Sequence, residues 1–213
     1  MQTGLFDQSN ECSQYEDLDL GNANLRLWPT AFSLEDADSL FHTLHDTTDW
    51  RQESLWIAGQ ERLVPRLQCW MGDASSLYGY SGMRLEPVPW SDTVIVIKQR
   101  VETLTGLTFN SVLLNLYRNG SDSVAWHADD EPELGLHPRI ASVSLGAERI
   151  FELKCKTDSS IPKSKLQLPH GSVLLMSKEL QQHWLHQLPK VKGLDNPRIN
   201  LTFRQIHRAQ ANG

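Results

Sequence analysis

The spacing of apolar positions divides the chain in two. From residue 109 onward it runs in short segments: Val112–Tyr117, Ile140–Leu145, Ile150–Leu153, Ser172–Met176 and Arg198–Arg204, with Gly or Pro between most of them. Such runs predict strands, and several in close succession predict a sandwich or barrel. Before residue 109 the period lengthens. Leu34, Ala37, Leu40, Phe41 and Leu44 follow Ser33-Leu34-Glu35-Asp36, a capped helix start. Val94, Ile97, Val101 and Leu104 predict a second helix, from Asp92 to Leu104, stopped at Gly106. Both helices read as packing elements. Residues 50–90 carry Trp50, Trp56, Trp70, Tyr78, Tyr80 and Trp90 among Gly, Pro and Arg. That composition predicts loops and short strands over one face of the core. They serve either as plain hydrophobic cover or as a lid whose aromatic faces stack on planar groups. The expected organisation is a flexible acidic arm (1–24), helices and a recognition lid (25–108), a β core (109–207) and a short tail (208–213). The fold class is α+β, mainly β.

Composition narrows the class. The 213 residues are 39% hydrophobic and 22% charged, an ordinary globular balance. No apolar run approaches the roughly 20 residues that span a bilayer, so no membrane partner is expected. Residues Met1–Leu20 hold five acids and no Lys or Arg, unlike a secretory or transit signal. Cys12, Cys69 and Cys155 are odd in number and far apart, which speaks against a disulfide framework and a thiolate zinc site. A cytoplasmic location, or a nuclear one in a eukaryote, is the expectation. Residues 1–50 hold ten Asp/Glu and one Arg, a net of -9, whereas the other 163 hold 19 Lys/Arg and 16 Asp/Glu, a net of +3. A basic face outside the N-terminal segment is compatible with this asymmetry. The lysines of Lys154-Cys155-Lys156 and Lys163-Ser164-Lys165 read first as a solvated hairpin and second as a grip on a polyanion. Neither Gly-rich phosphate-cradling motif occurs.

Histidines carry the candidate chemistry. In His127-Ala128-Asp129 an extended backbone puts an imidazole and a carboxylate on one face. By itself the pair also describes a hydrogen-bonded core histidine. His183-Trp184-Leu185-His186 offers a third ligand. Two imidazoles and one carboxylate on one face of a metal leave three positions open, which suits Fe(II) binding a co-substrate and O₂ together. Further on, Arg198, Asn200, Thr202 and Arg204 share one face of an alternating segment. On a buried face two guanidinium groups need an anion, and a dicarboxylate would supply it. On a solvent face they need nothing.

Taken together, Asn115-Leu116-Tyr117, His127-Ala128-Asp129-Asp130-Glu131, His183-Trp184-Leu185-His186 and Pro197-Arg198-Ile199-Asn200-Leu201-Thr202-Phe203-Arg204 resemble the AlkB family. These are 2-oxoglutarate- and Fe(II)-dependent dioxygenases that remove alkyl groups from nucleic-acid bases. The resemblance spans residues 60 to 207. Pro65-Arg66, Gly72-Asp73 and Tyr80-Ser81-Gly82 are similar to the branch with the duplex-repairing members. It implies a double-stranded β-helix, or jelly roll. It implies iron on His127, Asp129 and His186, the second His of its string. It also implies 2-oxoglutarate on Arg198, with Asn115, Tyr117, Asn200 and Arg204 completing the pocket. Arg66, Tyr78, Tyr80 and Ser81 would line a base pocket, and Glu131 would contact the damaged base.

The implied activity is oxidative demethylation of bases such as 1-methyladenine and 3-methylcytosine in DNA or RNA, by a monomer. It consumes O₂ and 2-oxoglutarate and releases formaldehyde, succinate and CO₂. The same chemistry on a substrate other than nucleic acid is the alternative. One stretch departs from the family pattern. Duplex-acting members carry an aromatic finger ahead of the Pro-Arg, and here that stretch is Leu55-Trp56-Ile57-Ala58-Gly59. Ala58 stands beside the glycine, leaving Trp56 or Ile57 as gap filler, although Trp56 reads first as a core residue. Single strands and duplexes both fit.

Overall fold

The computed structural model describes residues 13–57, 59–74, 76, 78–80, 83–85 and 87–207, with the backbone alone at 55, 57, 78–80 and 83–85. Among the described residues fifteen strands and three α-helices follow in chain order: β1 (Glu16–Asp19), β2 (Asn24–Trp28), α1 (Leu34–Thr47), β3 (Ser54–Ile57), β4 (Gln60–Leu63), β5 (Leu67–Gly72), β6 (Tyr78–Tyr80), β7 (Met83–Leu85), α2 (Asp92–Thr105), β8 (Ser111–Tyr117), β9 (Val124–His127), β10 (Ile140–Gly146), β11 (Arg149–Cys155), β12 (Ser164–Leu168), β13 (Ser172–Met176), α3 (Lys178–His183), β14 (Trp184–Leu188) and β15 (Arg198–Arg204). A seven-stranded sheet, ordered β1-β2-β13-β10-β15-β8-β5, faces a four-stranded sheet, β12-β11-β14-β9. All of their pairings are antiparallel. Two facing antiparallel sheets with crossing connections match the expected jelly roll.

The period-two pattern decides which face goes where. On β15, Ile199, Leu201 and Phe203 are fully buried. They join Val143 and Leu145 of β10 and Val112 and Leu114 of β8 in one apolar layer. Ala37, Leu40 and Leu44 of α1, with Val94, Ile97 and Val101 of α2, pack on that layer. Both helices start as their sequences demand. Ser33 accepts from the Asp36 N–H and Ser91 from the Val94 N–H, and Gly106 ends α2 in the left-handed region. A second apolar layer, including Leu27, Trp70, Phe151, Leu153, Leu174 and Trp184, belongs to the facing surfaces of the sheets.

Three features differ from the sequence reading. Residues 16–19, expected in a flexible arm, form β1 instead, the outermost strand of the large sheet beside β2. The acids do not prevent pairing, because an edge strand leaves them in water and Asp17 pairs with Arg26 at 2.7 Å. Residues 1–12, including Cys12, and the tail 208–213 lie outside the described residues. Strands β2 and β5 precede residue 109 yet belong to the same sheet as β8. Trp56, read first as core, is 75% exposed on the β3–β4 hairpin. Its cross-strand neighbour there is Glu61. Among the described residues, no helix is long and apolar enough to cross a membrane.

Two glycines mark close approaches. A Cβ at Gly120 would sit 1.9 Å from the Val191 carbonyl oxygen. The loops before β9 and after β14 meet there, joined by Gly120 N–H to Leu194 O at 2.7 Å and Val191 N–H to Gly120 O at 2.8 Å. Gly146 has φ +85°, and a Cβ there would lie 2.6 Å from Pro197 O and 2.7 Å from Phe41 Cε2. It closes β10 directly opposite Arg198.

Candidate metal and co-substrate site

A cavity of about 500 Å³ opens between the sheets, and its wall includes His127, Asp129, His186, Arg198 and Arg204. His127 ends β9 and His186 lies opposite it on β14, where the two are register partners. Their rings pack edge to face with centroids 4.2 Å apart. One ligand atom from each of His127, Asp129 and His186 falls within 4.8 Å of the others. His183 ends α3 instead and stays out of this group.

The protonation pattern suits metal binding. His127 Nδ1 lies 2.8 Å from the Ala125 carbonyl oxygen, which can only accept, so Nδ1 donates there and Nε2 is the ring atom left for a metal. His186 is 3% exposed, and burial followed by the nearby His127 pushes its pKa down to about 3, so its ring is neutral at pH 7. Its Nδ1 is buried without a hydrogen-bond partner. Burial alone would raise the Asp129 carboxyl. The Arg204 guanidinium outweighs it, helped by His186 and His127, and holds the group well below the usual carboxylate range. Arg204 Nη2 donates to Asp129 Oδ1 at 2.6 Å, and the Asp129 N–H donates to Gln181 Oε1 at 2.9 Å. Two imidazoles and one ionised carboxylate within reach of one another, with a buried ring nitrogen of His186 left without a partner, fit a divalent metal.

The polar face of β15 points into this cavity rather than to solvent. Arg198 is 2% exposed, Asn200 7%, Thr202 8% and Arg204 6%. Register puts Asn115 beside Asn200 and Tyr117 beside Arg198. Arg198 Nη2 donates to Ser144 Oγ at 2.9 Å, while its Nε is buried without a partner. Burial pushes its pKa down to about 10, which still leaves the group cationic at pH 7. Its Cζ lies 5.4 Å from the Tyr117 ring centroid. A buried cation with an open donor is a seat for a carboxylate. Asn200 is already committed. Its Nδ2 serves Ser142 Oγ and Val143 O, and its Oδ1 accepts from Thr202, so it buttresses the slot.

The expected substrate residues divide. Glu131 lines the cavity, and its Oε2 is buried without a partner. Arg66 lines it too, but its Nε donates to Asn115 Oδ1 at 2.8 Å and its Nη1 to Ser123 O at 3.3 Å, on the wall shared with the slot. Tyr78 and Tyr80 lie on β6, where only the backbone is described, and Ser81 lies outside the described residues. Ile57 ends β3, with its backbone alone described. Arg62 and Leu63 carry the cavity wall onto the β3–β4 hairpin.

Sequence reasoning overlooked two residues. Gln68 donates to Asn115 Oδ1 at 3.0 Å. Arg149, 2% exposed, donates to the carbonyls of Asp122 at 3.0 Å and Pro189 at 2.6 Å, tying together the loops before β9 and after β14. The only available signal was an Arg opening an apolar strand.

Comparison with known proteins agrees with this geometry. The model of the 2OG-Fe(II) oxygenase superfamily matches residues 24–204. The chain is 40% identical over 195 residues to the Bos taurus alpha-ketoglutarate-dependent dioxygenase alkB homolog 3, covering 88% of this chain and 68% of that one. It is 40% identical over 184 residues to the Bos taurus DNA oxidative demethylase ALKBH2, covering 82% and 66%. The solved structure of OsALKBH1 aligns with a TM-score of 0.59 at 18% identity, over 90% of this chain and all of that one, and so shares the fold. With a family match across the whole described core and a His-Asp-His group at its centre, the chain belongs to the AlkB family of 2-oxoglutarate- and Fe(II)-dependent dioxygenases.

Proposed function

We propose that this enzyme demethylates N-alkylated bases such as 1-methyladenine and 3-methylcytosine in DNA, with RNA a further substrate. The observation that carries the reading is the cavity itself. At one end is a buried carboxylate–imidazole group, beside it a buried cationic slot, and its wall extends to a hairpin with an exposed aromatic. Relatives named for DNA oxidative demethylation support the choice of substrate.

In this reading His127, Asp129 and His186 hold Fe(II), which when bound supplies O₂ activation coupled to decarboxylation of 2-oxoglutarate. Arg198 pairs with the distal carboxylate, with Tyr117 beside it and Asn115 donating from β8. Asn200 and Thr202 hold that wall rigid. Arg204 stays on Asp129, keeping the carboxylate ionised and oriented. Glu131 attracts the cationic base through its unpartnered oxygen. The base must leave the stack to reach the metal. Trp56, exposed on the β3–β4 hairpin, fills the gap, with Ile57 as the other candidate. One oxygen atom of O₂ enters the N-methyl group and the other enters succinate. The hydroxymethyl group then leaves as formaldehyde and restores the base.

The test is formaldehyde release from a methylated oligonucleotide with Fe(II), ascorbate and 2-oxoglutarate. Formaldehyde in proportion to succinate is the expected result. No formaldehyde from protein shown to bind both cofactors would reject the reading. The salt dependence of oligonucleotide binding is a second check, because displaced counterions give a steep slope on a polyanion and none on a small neutral substrate.

A further inference from the structure

Asn115 makes an unusual pair of contacts for a residue at a carboxylate site. Its Oδ1 receives both Arg66 Nε at 2.8 Å and Gln68 Nε2 at 3.0 Å. A guanidinium can only donate, so the atom facing Arg66 must be the amide oxygen. Two donors occupy both of its lone pairs. The amide is thereby held from one side, and the NH₂ group at its other end is left for the cavity that Asn115 lines. Gln68 is well placed to hold it. It is the register partner of Asn115 on the neighbouring strand. Its backbone is pinned on the other side by Gln68 N–H to Arg51 O at 2.7 Å and Arg51 N–H to Gln68 O at 3.0 Å.

We propose that Gln68 is a positioning residue for the co-substrate: by occupying Asn115 Oδ1 it keeps the Asn115 NH₂ turned toward an anionic ligand in the Arg198 slot. This rests on the reading of that slot as the 2-oxoglutarate site. Without Gln68 the amide oxygen keeps only the Arg66 bond and the side chain is held less firmly, and an oxygen turned toward a carboxylate repels it. The contribution works through Asn115 and vanishes without it.

A calorimetric double-mutant cycle on the Mn(II)-loaded protein, with 2-oxoglutarate as titrant and no nucleic acid present, tests the idea. Gln68→Leu should raise the 2-oxoglutarate Kd about five- to tenfold, the worth of one neutral hydrogen bond. In an Asn115→Ala background the same change should alter Kd by less than about twofold, since contacting residues couple and independent ones add. Gln68→Met, nearer in shape, should repeat the result and serves if the Leu variant folds poorly. Mn(II) affinity is the control, because the hydrogen bonds of Gln68 go to Asn115 and Arg51 rather than to His127, Asp129 or His186. An unchanged Kd in both Gln68 variants, or an equal penalty with and without Asn115, overturns the proposal. Failure of the wild type to bind 2-oxoglutarate would instead overturn the slot reading on which it stands.

Discussion

Asp129→Asn removes one charge from a buried pair and nearly nothing else. Asp129 is 3% exposed, Arg204 is 6% exposed, and 2.6 Å separates Oδ1 from Nη2. The Asn keeps the shape and can still accept from Arg204, but the buried guanidinium loses the carboxylate charge 2.6 Å away. Breaking a buried pair in this way costs about 3–5 kcal/mol. That is a large share of the ~5–15 kcal/mol that holds a domain together. At ~2–4 °C per kcal/mol for a chain of this size, the metal-free protein should melt about 6–20 °C lower. Removing the guanidinium as well should recover much of the loss. Asp129→Asn with Arg204→Met should therefore be more stable than Asp129→Asn alone, as read by urea and thermal denaturation of metal-free protein. The sign of the pH dependence follows from the depressed folded-state pKa. The stabilisation is complete above the unfolded value of about 3.9 and is lost as pH falls below it toward the folded value, so the Asn variant should show a flatter acid limb. A loss below about 1 kcal/mol, or a double variant whose loss equals the sum of the single losses, would refute the reasoning, because independent sites add.

Other changes have equally definite outcomes. Gly146→Ala forces a side chain into a left-handed position, with its Cβ 2.6 Å from Pro197 O, and should cost about 1–3 kcal/mol in backbone strain alone, measured by denaturation. Because Gly146 pairs with Arg198, 2-oxoglutarate affinity should fall in the same variant. Trp56→Ala touches a side chain 75% exposed, so stability should move by less than about 0.5 kcal/mol while oligonucleotide affinity drops. Unchanged binding to both single strands and duplexes would remove Trp56 from the interface. Burial, with the nearby Asp49, pushes the Cys69 thiol up to about 11, whereas backbone hydrogen bonds from Thr157 and Asp158 lower that of Cys155. Iodoacetamide at pH 8 should therefore label Cys155 well before Cys69, by peptide mass spectrometry.

Much of this was legible in the chain itself. Spacing alone located α1, α2, β10, β13 and β15, since local periodicity encodes which residues share a face. It also grouped Arg198, Asn200, Thr202 and Arg204 together and opposed them to Ile199, Leu201 and Phe203. The motif strings also picked out His127, Asp129 and His186, as much as 59 positions apart, which the structure brings within 4.8 Å of one another. What periodicity could not say was whether that arginine face met water or protein. The tertiary structure decided it, because α1 and α2 cover the apolar side and the small sheet covers the polar one. Partner choice explains the other surprises. Glu16–Asp19 looks like solvated coil until it pairs with β2 and becomes the edge strand, and Trp56 looks like core until its hairpin leaves it in water. Gln68 looks unremarkable in Leu67-Gln68-Cys69-Trp70 until β5 pairs with β8, 47 residues away, and sets it beside Asn115. A one-dimensional pattern carries the period of a strand, but its register and its neighbours are set by contacts between distant segments. The hydrogen bonds that tune this site are contacts of that second kind.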